Sequence, residues 1–284
     1  MRPLVLLTRG SPLARRQAEL VSARLGQALG RPVEIRILVT TGDRQAAWSL
    51  EKQGGKGLFT AELEQALQRG EGDIAVHSAK DLPTEMPAGL ALAGFLPRED
   101  ARDTLVRRAD CPVPRRIATG SPRRRAQGAK LFPGAEWTEL RGNVDTRLRK
   151  VAEGQADATF LAQAGLNRLA IAAWDGLVLE PVGIDRMVPA AGQGAVALQT
   201  RAEDAALYAP SLDAATARAV SIERLFLARL GEGCHTAFAC HVAGDRVHLF
   251  REDLGRKDHP MPAAGVREAE PLVAAILRDL ASPR

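Results

Sequence analysis

The sequence is poor in aromatic residues and contains no long apolar run. Its 284 residues include only seven Phe, three Trp and one Tyr, so few rings are available for stacking on single-stranded nucleic acid. No zinc-finger spacing or leucine-zipper heptad is present, and no stretch approaches the roughly 18 consecutive apolar residues of a membrane span. Apolar residues make up 45% and charged residues 26%, which is typical of a globular protein.

Cysteine is also scarce. An odd number of cysteines, Cys111, Cys234 and Cys240, spread over a chain of two or three domains, argues against a disulfide framework. The apolar run near the N-terminus is too short for the hydrophobic region of a signal peptide and lacks a small-residue cleavage site. We therefore expect a cytoplasmic protein.

Lysine is rare, whereas arginine is abundant. Six of the 39 basic residues are Lys and 33 are Arg, and the net charge is +5. The segment 98–150 holds 14 basic and 7 acidic residues, a net charge of +7. Such a concentration of positive charge indicates an anionic partner. With so few aromatic residues, small polycarboxylates or phosphates fit this charge better than nucleic acid does.

The first forty residues predict a β-α-β unit. Residues 4–8 form the apolar run of a strand buried in a parallel sheet. Ser11 is a natural N-cap, and Pro12 suits the first position of a helix. Alternating apolar residues over 33–39 predict a second strand, so we expect a parallel sheet with helices on its faces. The inward face of the helix is predicted to comprise Ala14, Ala18, Val21, Leu25 and Ala28.

Two short patterns occur twice in the chain. The sequence Gly-Ser-Pro occurs at 10–12 and again at 120–122, and Gly-x-x-Asp occurs at 70–73 and again at 154–157, each time before an apolar strand. Chance is a serious alternative for matches this short. The structural interpretation is that two α/β lobes each carry a strand, a Gly-Ser-Pro turn and a helix N-terminus, which presents free N–H groups to an anion.

The remaining chain supplies further elements. Residues 42–57 predict a long mobile loop, residues 60–69 a helix, and residues 73–77 a strand. The tail differs, since a helix over 217–230, strands around 242–249 and a closing helix over 272–280 suggest a small α+β domain.

Six segments, in this order, together resemble the hydroxymethylbilane synthase (porphobilinogen deaminase) family. They are TRGSPLA at 8–14, GGKGLF at 54–59, DIAVHSAKD at 73–81, LRGNV at 140–144, PAAGQGAV at 189–196 and GC at 233–234. Each segment alone is weak evidence for the resemblance, but all six in the family's order are strong evidence. The resemblance covers about residues 4–240.

The resemblance implies an α/β fold with two lobes like those of periplasmic binding proteins around a cleft, and a small α+β C-terminal domain. The expected domains are 1–96 with 194–213, then 97–193, and then 214–284. It also implies a transferase of tetrapyrrole and heme biosynthesis that condenses four porphobilinogen molecules head to tail into hydroxymethylbilane and releases ammonia. The cofactor would be a dipyrromethane primer held by a thioether to Cys234. The family suggests a monomer.

The resemblance also assigns residues that bind carboxylates. Each porphobilinogen carries an acetate and a propionate, and the planar fork of arginine binds carboxylates in a bidentate manner. Alongside Cys234, the residues expected to bind the cofactor are Lys80, Asp81, Ser121, Arg123, Arg124, Arg141 and Arg147. Those expected to bind substrate are Arg9, Ser11, Lys56 and Arg168. A solvated basic face is the alternative for any single arginine, and it is favoured for Arg115 and Arg116, which match no motif.

Asp81 is the candidate catalyst. Loss of ammonia from the substrate leaves a methylene pyrrolenine cation, which needs a neighbouring negative charge and a proton donor for the departing amine. One carboxylate can serve both needs. The alternative is a loop aspartate that caps the turn before Pro83.

Cys234 has a competing interpretation. Glycines around it permit the flexible approach that a thioether anchor needs. However, Cys234-His235 and Cys240-His241 repeat a pair of possible zinc ligands. Their spacing matches no standard zinc motif, so we expect no metal.

Some positions depart from the family pattern. Glu232 and Asp145 replace common glycines, Pro122 replaces a leucine, and residues 235–240 are unlike the usual sequence. These departures concern the surroundings of the cofactor. A two-lobed anion-binding protein without a covalent pyrrole and a nucleic-acid-binding protein remain as alternatives.

Overall fold

The computed structural model describes residues 2–39, 60–231, 237–261 and 265–281. The loop predicted for residues 42–57 lies outside the described residues, as do Lys56 and Cys234. In the described ranges, none of the helices has both the length and the apolar character needed to cross a membrane.

The first sheet has five strands. Their bounds are β1 Leu4–Arg9, β2 Val33–Leu38, β3 Ile74–Ser78, β4 Leu90–Phe95 and β10 Val196–Arg201. They lie in the order β2-β1-β3-β10-β4. The pairs β1–β2 and β1–β3 are parallel, and β10 runs antiparallel to β3 and β4. Helices α1 (Pro12–Leu29) and α2 (Ala61–Gln68) belong to this lobe and bury their apolar faces.

The second sheet repeats this arrangement. Its strands are β5 Asp103–Arg108, β6 Arg116–Ala118, β7 Glu136–Thr138, β8 Ala158–Ala162 and β9 Leu177–Val182. The order is β7-β6-β8-β5-β9, with β6 parallel to β7 and β8, and β5 antiparallel to β8 and β9. Its helices are α3 Pro122–Leu131, α4 Val144–Ala152 and α5 Gln163–Arg168.

The repeated sequence patterns fall at equivalent places in the two sheets. Ser11 and Ser121 are the N-caps of α1 and α3, and each accepts a hydrogen bond from a backbone N–H in the first turn. Asp73 and Asp157 precede the equivalent strands β3 and β8. Their carboxylates accept backbone N–H groups at the start of the neighbouring strand, from Val5 in one lobe and from residues 115 and 116 in the other. The two lobes are therefore structural repeats.

The C-terminal part forms a third unit. Its elements are α7 Ala214–Leu230, β11 Phe238–Ala243, β12 Arg246–Arg251, β13 Gly255–Pro260 and α8 Val266–Ala281. The short helix before them, α6 Ala205–Tyr208, packs in the core of the first lobe. The three strands make an antiparallel sheet, against which α7 and α8 pack an apolar core. Two α/β sheets of the same topology and a small α+β unit confirm the predicted fold class.

Most of the predicted helical face is correct. Ala14, Ala18, Val21 and Leu25 are buried, but Ala28, near the C-terminal end of α1, is exposed. Gly30 ends the helix in the left-handed conformation, with φ of 60°. The second predicted strand is at the edge of its sheet, so Ile37 and Val39 reach solvent.

Candidate active site

The carboxyl ends of the parallel strands in both lobes carry the predicted site residues. In the first lobe the Gly-Ser-Pro turn follows β1, and a 3₁₀ turn, Ala79–Asp81, follows β3. In the second lobe the equivalent turn follows β6, and residues 139–143 follow β7. Ligands of open α/β sheets bind at this end of the strands. The two lobes come close together at this end. Gly165 on α5 of the second lobe faces Leu13 on α1 of the first, and a Cβ added to Gly165 would lie 3.7 Å from Leu13 Cδ2.

The turn that carries Lys80 and Asp81 is fixed by the segment that crosses back from the second lobe to the first. Ala79 N donates a hydrogen bond to Ala195 O at 3.0 Å. Gly192 has φ of +72°, and a Cβ there would lie 3.0 Å from the carbonyl carbon of Ala79. Only glycine combines this conformation with so close an approach. The backbone of the turn is therefore held rigidly, while the side chains of Lys80 and Asp81 are exposed.

Lys80 lies in a strongly positive environment. Its side chain reaches solvent, but the surrounding protein desolvates the ammonium group, and this effect together with the Arg124 charge lowers the pKa of Lys80 to about 8. The Lys80 Nζ donates to Gln193 Oε1 at 3.4 Å. An exposed side chain with such a shift is typical of a cleft, where solvent is present but restricted.

Arg147 shows the same effect from the second lobe. Its Nε donates to Gly142 O at 2.7 Å. Burial, followed by the charges of Arg124 and Arg141, lowers the pKa of Arg147 to about 10. Asp81 acts in the opposite direction and raises the pKa values of Lys80, Arg124 and Arg147. The carboxylate of Asp81, in the first lobe, therefore interacts electrostatically with cations of both lobes.

Arg123 and Arg124 lie in the interior, around a carboxylate that sequence analysis did not single out. The Asp103 carboxylate accepts from Arg123 Nη1 at 2.7 Å and from Arg124 Nε at 2.9 Å. Val188 O and Phe160 O accept further N–H groups from the two guanidiniums, each at 2.7 Å. Burial alone would raise the pKa of Asp103, but the two guanidiniums outweigh it and lower that pKa. Two cations facing one carboxylate leave an excess positive charge beneath the cleft.

This placement differs from the expectation that Arg123 and Arg124 meet ligand carboxylates as open forks. Both side chains are buried, with 7% and 6% of their surface exposed. Asp103, at the start of β5, holds them because it is completely buried and needs their charge.

Gln193 links the two lobes. Its Oε1 accepts from Lys80, and its Nε2 donates to Ala101 O at 2.8 Å and to Asp103 Oδ1 at 3.1 Å. The residue is 1% exposed, so all these bonds are inside the protein. Gln193 lies within the segment 189–196 that carried part of the resemblance, which is the signal that could have identified it.

The residues expected to bind substrate are spread over both lobes. Ser11 is half-buried, and its hydroxyl accepts from Ala14 N at 3.3 Å. Arg9 is half-buried at the end of β1. Arg168 Nη2 donates to Gly194 O at 2.6 Å, and burial lowers its pKa. Ser121 caps α3 beside the guanidinium of Arg141, which packs over Gly120.

Glu223 joins the third unit to the two-lobed part, and sequence analysis did not find it. The carboxylate lies on α7, is completely buried, and accepts two hydrogen bonds from Arg98, at 2.6 and 3.0 Å. It also accepts from Gly192 N at 2.6 Å and from Val242 N at 2.8 Å. Glu223 therefore ties the helix that precedes the Cys234 segment to the backbone that supports the Lys80–Asp81 turn.

The metal alternative gains no support from the described part of the chain. Over residues 2–39, 60–231, 237–261 and 265–281, no group of three His, Cys, Asp or Glu side chains is arranged to hold a metal ion. Cys240 is buried, and burial raises the pKa of its thiol well above the usual value. Cys234 and His235 lie outside the described residues.

Two α/β lobes of the same topology carry guanidinium and ammonium groups, with exposed carboxylates such as Asp81 among them, at the carboxyl ends of their parallel strands. This arrangement defines the class of two-lobed α/β proteins with a cationic cleft. The family model described as "Porphobilinogen deaminase, dipyromethane cofactor binding domain" matches residues 4–209. The chain belongs to the porphobilinogen deaminase family.

Two relatives carry the name of this family, and the chain is also similar to a solved structure. The porphobilinogen deaminase of Nitrobacter winogradskyi is 44% identical over 253 residues, covering 84% of this chain and 79% of the relative. That of Paracoccus denitrificans is 44% identical over 265 residues, covering 89% and 84%. The periplasmic VFT2 domain of Bordetella pertussis BvgS is 18% identical with a TM-score of 0.45, covering 73% of this chain and 86% of that chain.

The family is that of transferases that condense porphobilinogen into hydroxymethylbilane on a dipyrromethane cofactor. The predicted family, activity and cofactor are thereby confirmed. The residues of the cleft fit this cofactor, which carries several carboxylates. Burial, followed by the Arg124 charge, lowers the pKa values of Lys80 and Arg147, and carboxylates bound beside these groups would stabilise their charged forms. Arg141 Nη2 is buried and makes no hydrogen bond among the described residues.

Proposed function

We propose that Asp81 is the catalytic carboxylate of this porphobilinogen deaminase. The single observation that supports this role is the position of Asp81. It lies on a turn of the first lobe whose backbone is supported by Gly192, and its charge interacts with those of Arg124 and Arg147 in the second lobe. Replacing Asp81 by asparagine tests the role, because the amide keeps the size of the side chain and removes its charge.

The chemistry requires a carboxylate at this point. When porphobilinogen loses ammonia, the bond between the exocyclic methylene and the amine breaks, and the bonding electrons leave with the nitrogen. The positive charge that remains spreads over the pyrrole ring. Asp81 donates a proton to the departing amine. The resulting carboxylate stabilises the positive charge and accepts a hydrogen bond from the pyrrole N–H.

The cations of the cleft bind the acetate and propionate groups. Lys80, Arg141 and Arg147 bind those of the cofactor, with Ser121 beside them at a helix N-terminus, and Arg123 and Arg124 add positive charge from below. Substrate carboxylates are bound by Arg9, Ser11, Lys56 and Arg168. The cofactor is attached to Cys234 through a thioether. When bound, it supplies the pyrrole carbon that forms the new bond to the substrate.

The domain organisation and setting complete the proposal. The first domain comprises residues 1–96 and 194–213, the second 97–193 and the third 214–284, which is supported by the membership of the strands in three sheets. The protein acts as a monomer in the cytoplasm, which is supported by the family resemblance and by the small number of cysteines.

The affinity for porphobilinogen is expected to fall as the pH rises through about 8. In addition to its role toward the cofactor, Lys80 is expected to attract a carboxylate of the incoming substrate. It is charged below its pKa of about 8 and neutral above it, so a substrate carboxylate loses a charged partner as the pH rises. We expect the KM of the parent to rise between pH 7 and pH 9. Lys80→Met should have a KM about tenfold higher at pH 7, since a hydrogen bond to a charged group contributes about 1.5–3 kcal/mol, and should lack the rise.

Lys80→Arg is the matched control for this titration. Arginine stays charged to pH 9, so its KM should remain constant over this range. A pH dependence of KM that is the same in the parent and in Lys80→Met would show that Lys80 does not bind the substrate carboxylates.

Substitution of Gly192 by alanine is expected to lower kcat without removing the ligand-binding cations. The added Cβ would press on the backbone of Ala79 and Lys80, and a left-handed conformation costs a non-glycine residue about 1–2 kcal/mol. Steady-state kinetics should show a loss of at least about tenfold in kcat. Gly134→Ala is a control, because Gly134 also has positive φ but its Cβ would meet nothing within 4 Å. Equal effects of the two substitutions would contradict this support role.

A further inference from the structure

Glu139 is a carboxylate at the edge of the site that the chemistry above does not use. It follows β7, where Thr119 N donates to Thr138 O at 2.8 Å, so the segment lies beside the Gly120 turn. Leu140 is 5% exposed and fixes the segment to the core. The Glu139 side chain therefore lies at the carboxyl end of the second sheet, on the side of the ligand-binding turns.

Glu139 forms an ion pair with the guanidinium of Arg141. Its Oε1 atom lies 2.6 Å from Arg141 Nε and 2.5 Å from Arg141 Nη2. Only the contact to Nε has the geometry of a hydrogen bond, since Nη2 is without a hydrogen-bond partner. One oxygen of Glu139 thus lies close to two nitrogens of the guanidinium but accepts a hydrogen bond from only one of them. The pair is partly open to solvent, with 19% of the Arg141 side chain and 31% of the Glu139 side chain exposed.

The chemistry of Glu139 matches that of the ligand. A glutamate side chain is a carboxylate on two methylene groups, the same group as the propionate of porphobilinogen. The guanidinium of Arg141 packs closely on Gly120, where an added Cβ would be 3.2 Å from Cζ. Packing on the Gly120 backbone therefore supports the fork in addition to its contact with Glu139.

We propose that Glu139 acts as an internal propionate that competes with ligand carboxylates for Arg141. The inference rests on the proposed role of Arg141 in binding the cofactor. Because Glu139 is tethered next to the guanidinium, it is present at a constant local concentration, and it lowers the affinity of Arg141 for every carboxylate by the same factor. Glu139 thus sets how firmly this point of the cleft holds a polycarboxylate.

The test measures carboxylate binding rather than turnover. The full-length protein is produced without cofactor in a host that cannot make porphobilinogen, and its mass is checked. Propane-1,2,3-tricarboxylate is then titrated by calorimetry. Glu139→Gln should bind this probe about two- to fivefold more tightly than the parent, the range expected for loss of a partly exposed ion pair. Its melting temperature should be unchanged, whereas loss of a structural contact would lower it.

Matched variants separate the competition from a general change in charge. Glu136→Gln removes the same charge from an exposed position on β7 and should leave the affinity unchanged. In an Arg141→Ala background, Glu139→Gln should also have no effect. If Arg141→Ala alone does not weaken binding, the proposed role of Arg141 fails. If Arg141→Ala weakens binding but Glu139→Gln does not tighten it, only the competition is overturned.

Discussion

Asp81→Asn is expected to lose at least about a hundredfold in turnover while it still binds porphobilinogen. Positioned proton transfer contributes roughly 10²–10⁴-fold to a rate, and the loss of charge stabilisation adds to this. Asparagine keeps the shape of the side chain, and Asp81 is exposed, so the fold should not change. The measurement is the steady-state release of ammonia and bilane, with circular dichroism as a check of the fold.

The conservative variant separates charge from position. Asp81→Glu keeps the carboxylate but moves it by one methylene, so it should retain more activity than Asp81→Asn. Lys80→Met should act mainly through KM, although Lys80 is the adjacent residue. Turnover of Asp81→Asn within tenfold of the parent would show that Asp81 only caps the turn before Pro83.

The placement of Asp81 depends on all three sheet units. Arg124 and Arg147, whose pKa values Asp81 raises, belong to the second lobe, whereas the backbone of Asp81 belongs to the first. Glu223, from the third unit, accepts a hydrogen bond from Gly192 N, and Gly192 supports the turn before Asp81. A single buried carboxylate therefore connects the helix leading toward Cys234 with the turn that carries the catalytic group.

The parts of the fold that follow a simple repeat could be predicted from sequence. The inward residues of α1 recur every three or four positions, and Ser11 and Gly30 mark its ends. The duplicated Gly-Ser-Pro and Gly-x-x-Asp patterns identified two equivalent lobes, because each pattern performs the same local task of capping. The alternation over 33–39 also predicted the edge strand β2. Burial along that strand did not follow from the alternation, because solvent on one side leaves apolar residues such as Ile37 exposed.

The interior polar contacts could not be predicted in this way. Asp103 is separated by 20 residues from Arg123, and Glu223 by 125 residues from Arg98. The charges of such a pair come together only when the chain folds, so the pair produces no periodic pattern in the sequence. The inward face of α3 is polar, because it buries Arg123 and Arg124. A search for buried helix faces looks for apolar residues and would therefore place these two arginines on the solvent side. Their pairing with Asp103 is visible only in the three-dimensional structure.

Cys234→Ser is expected to lose both the covalent cofactor and all activity. The parent should have an intact mass that exceeds the sequence mass by one dipyrromethane, and Cys234→Ser should have the mass of the bare chain. A serine hydroxyl cannot replace the thiolate, which is the nucleophilic form of the cysteine side chain. Without the primer there is no pyrrole carbon to extend, so ammonia release should fall to background.

The other two cysteines are controls whose surroundings explain why they cannot carry the cofactor. Cys240 is completely buried, and burial keeps its thiol protonated. Cys111 follows the end of β5 opposite to Asp103, and at about 3.3 Å per residue the five steps of that strand separate it from the site by more than about 16 Å. Cys111→Ser and Cys240→Ser should therefore retain the added mass and the activity. A parent enzyme that is active with only the sequence mass would exclude a covalent primer, and loss of the adduct in Cys240→Ser but not in Cys234→Ser would assign the attachment to Cys240.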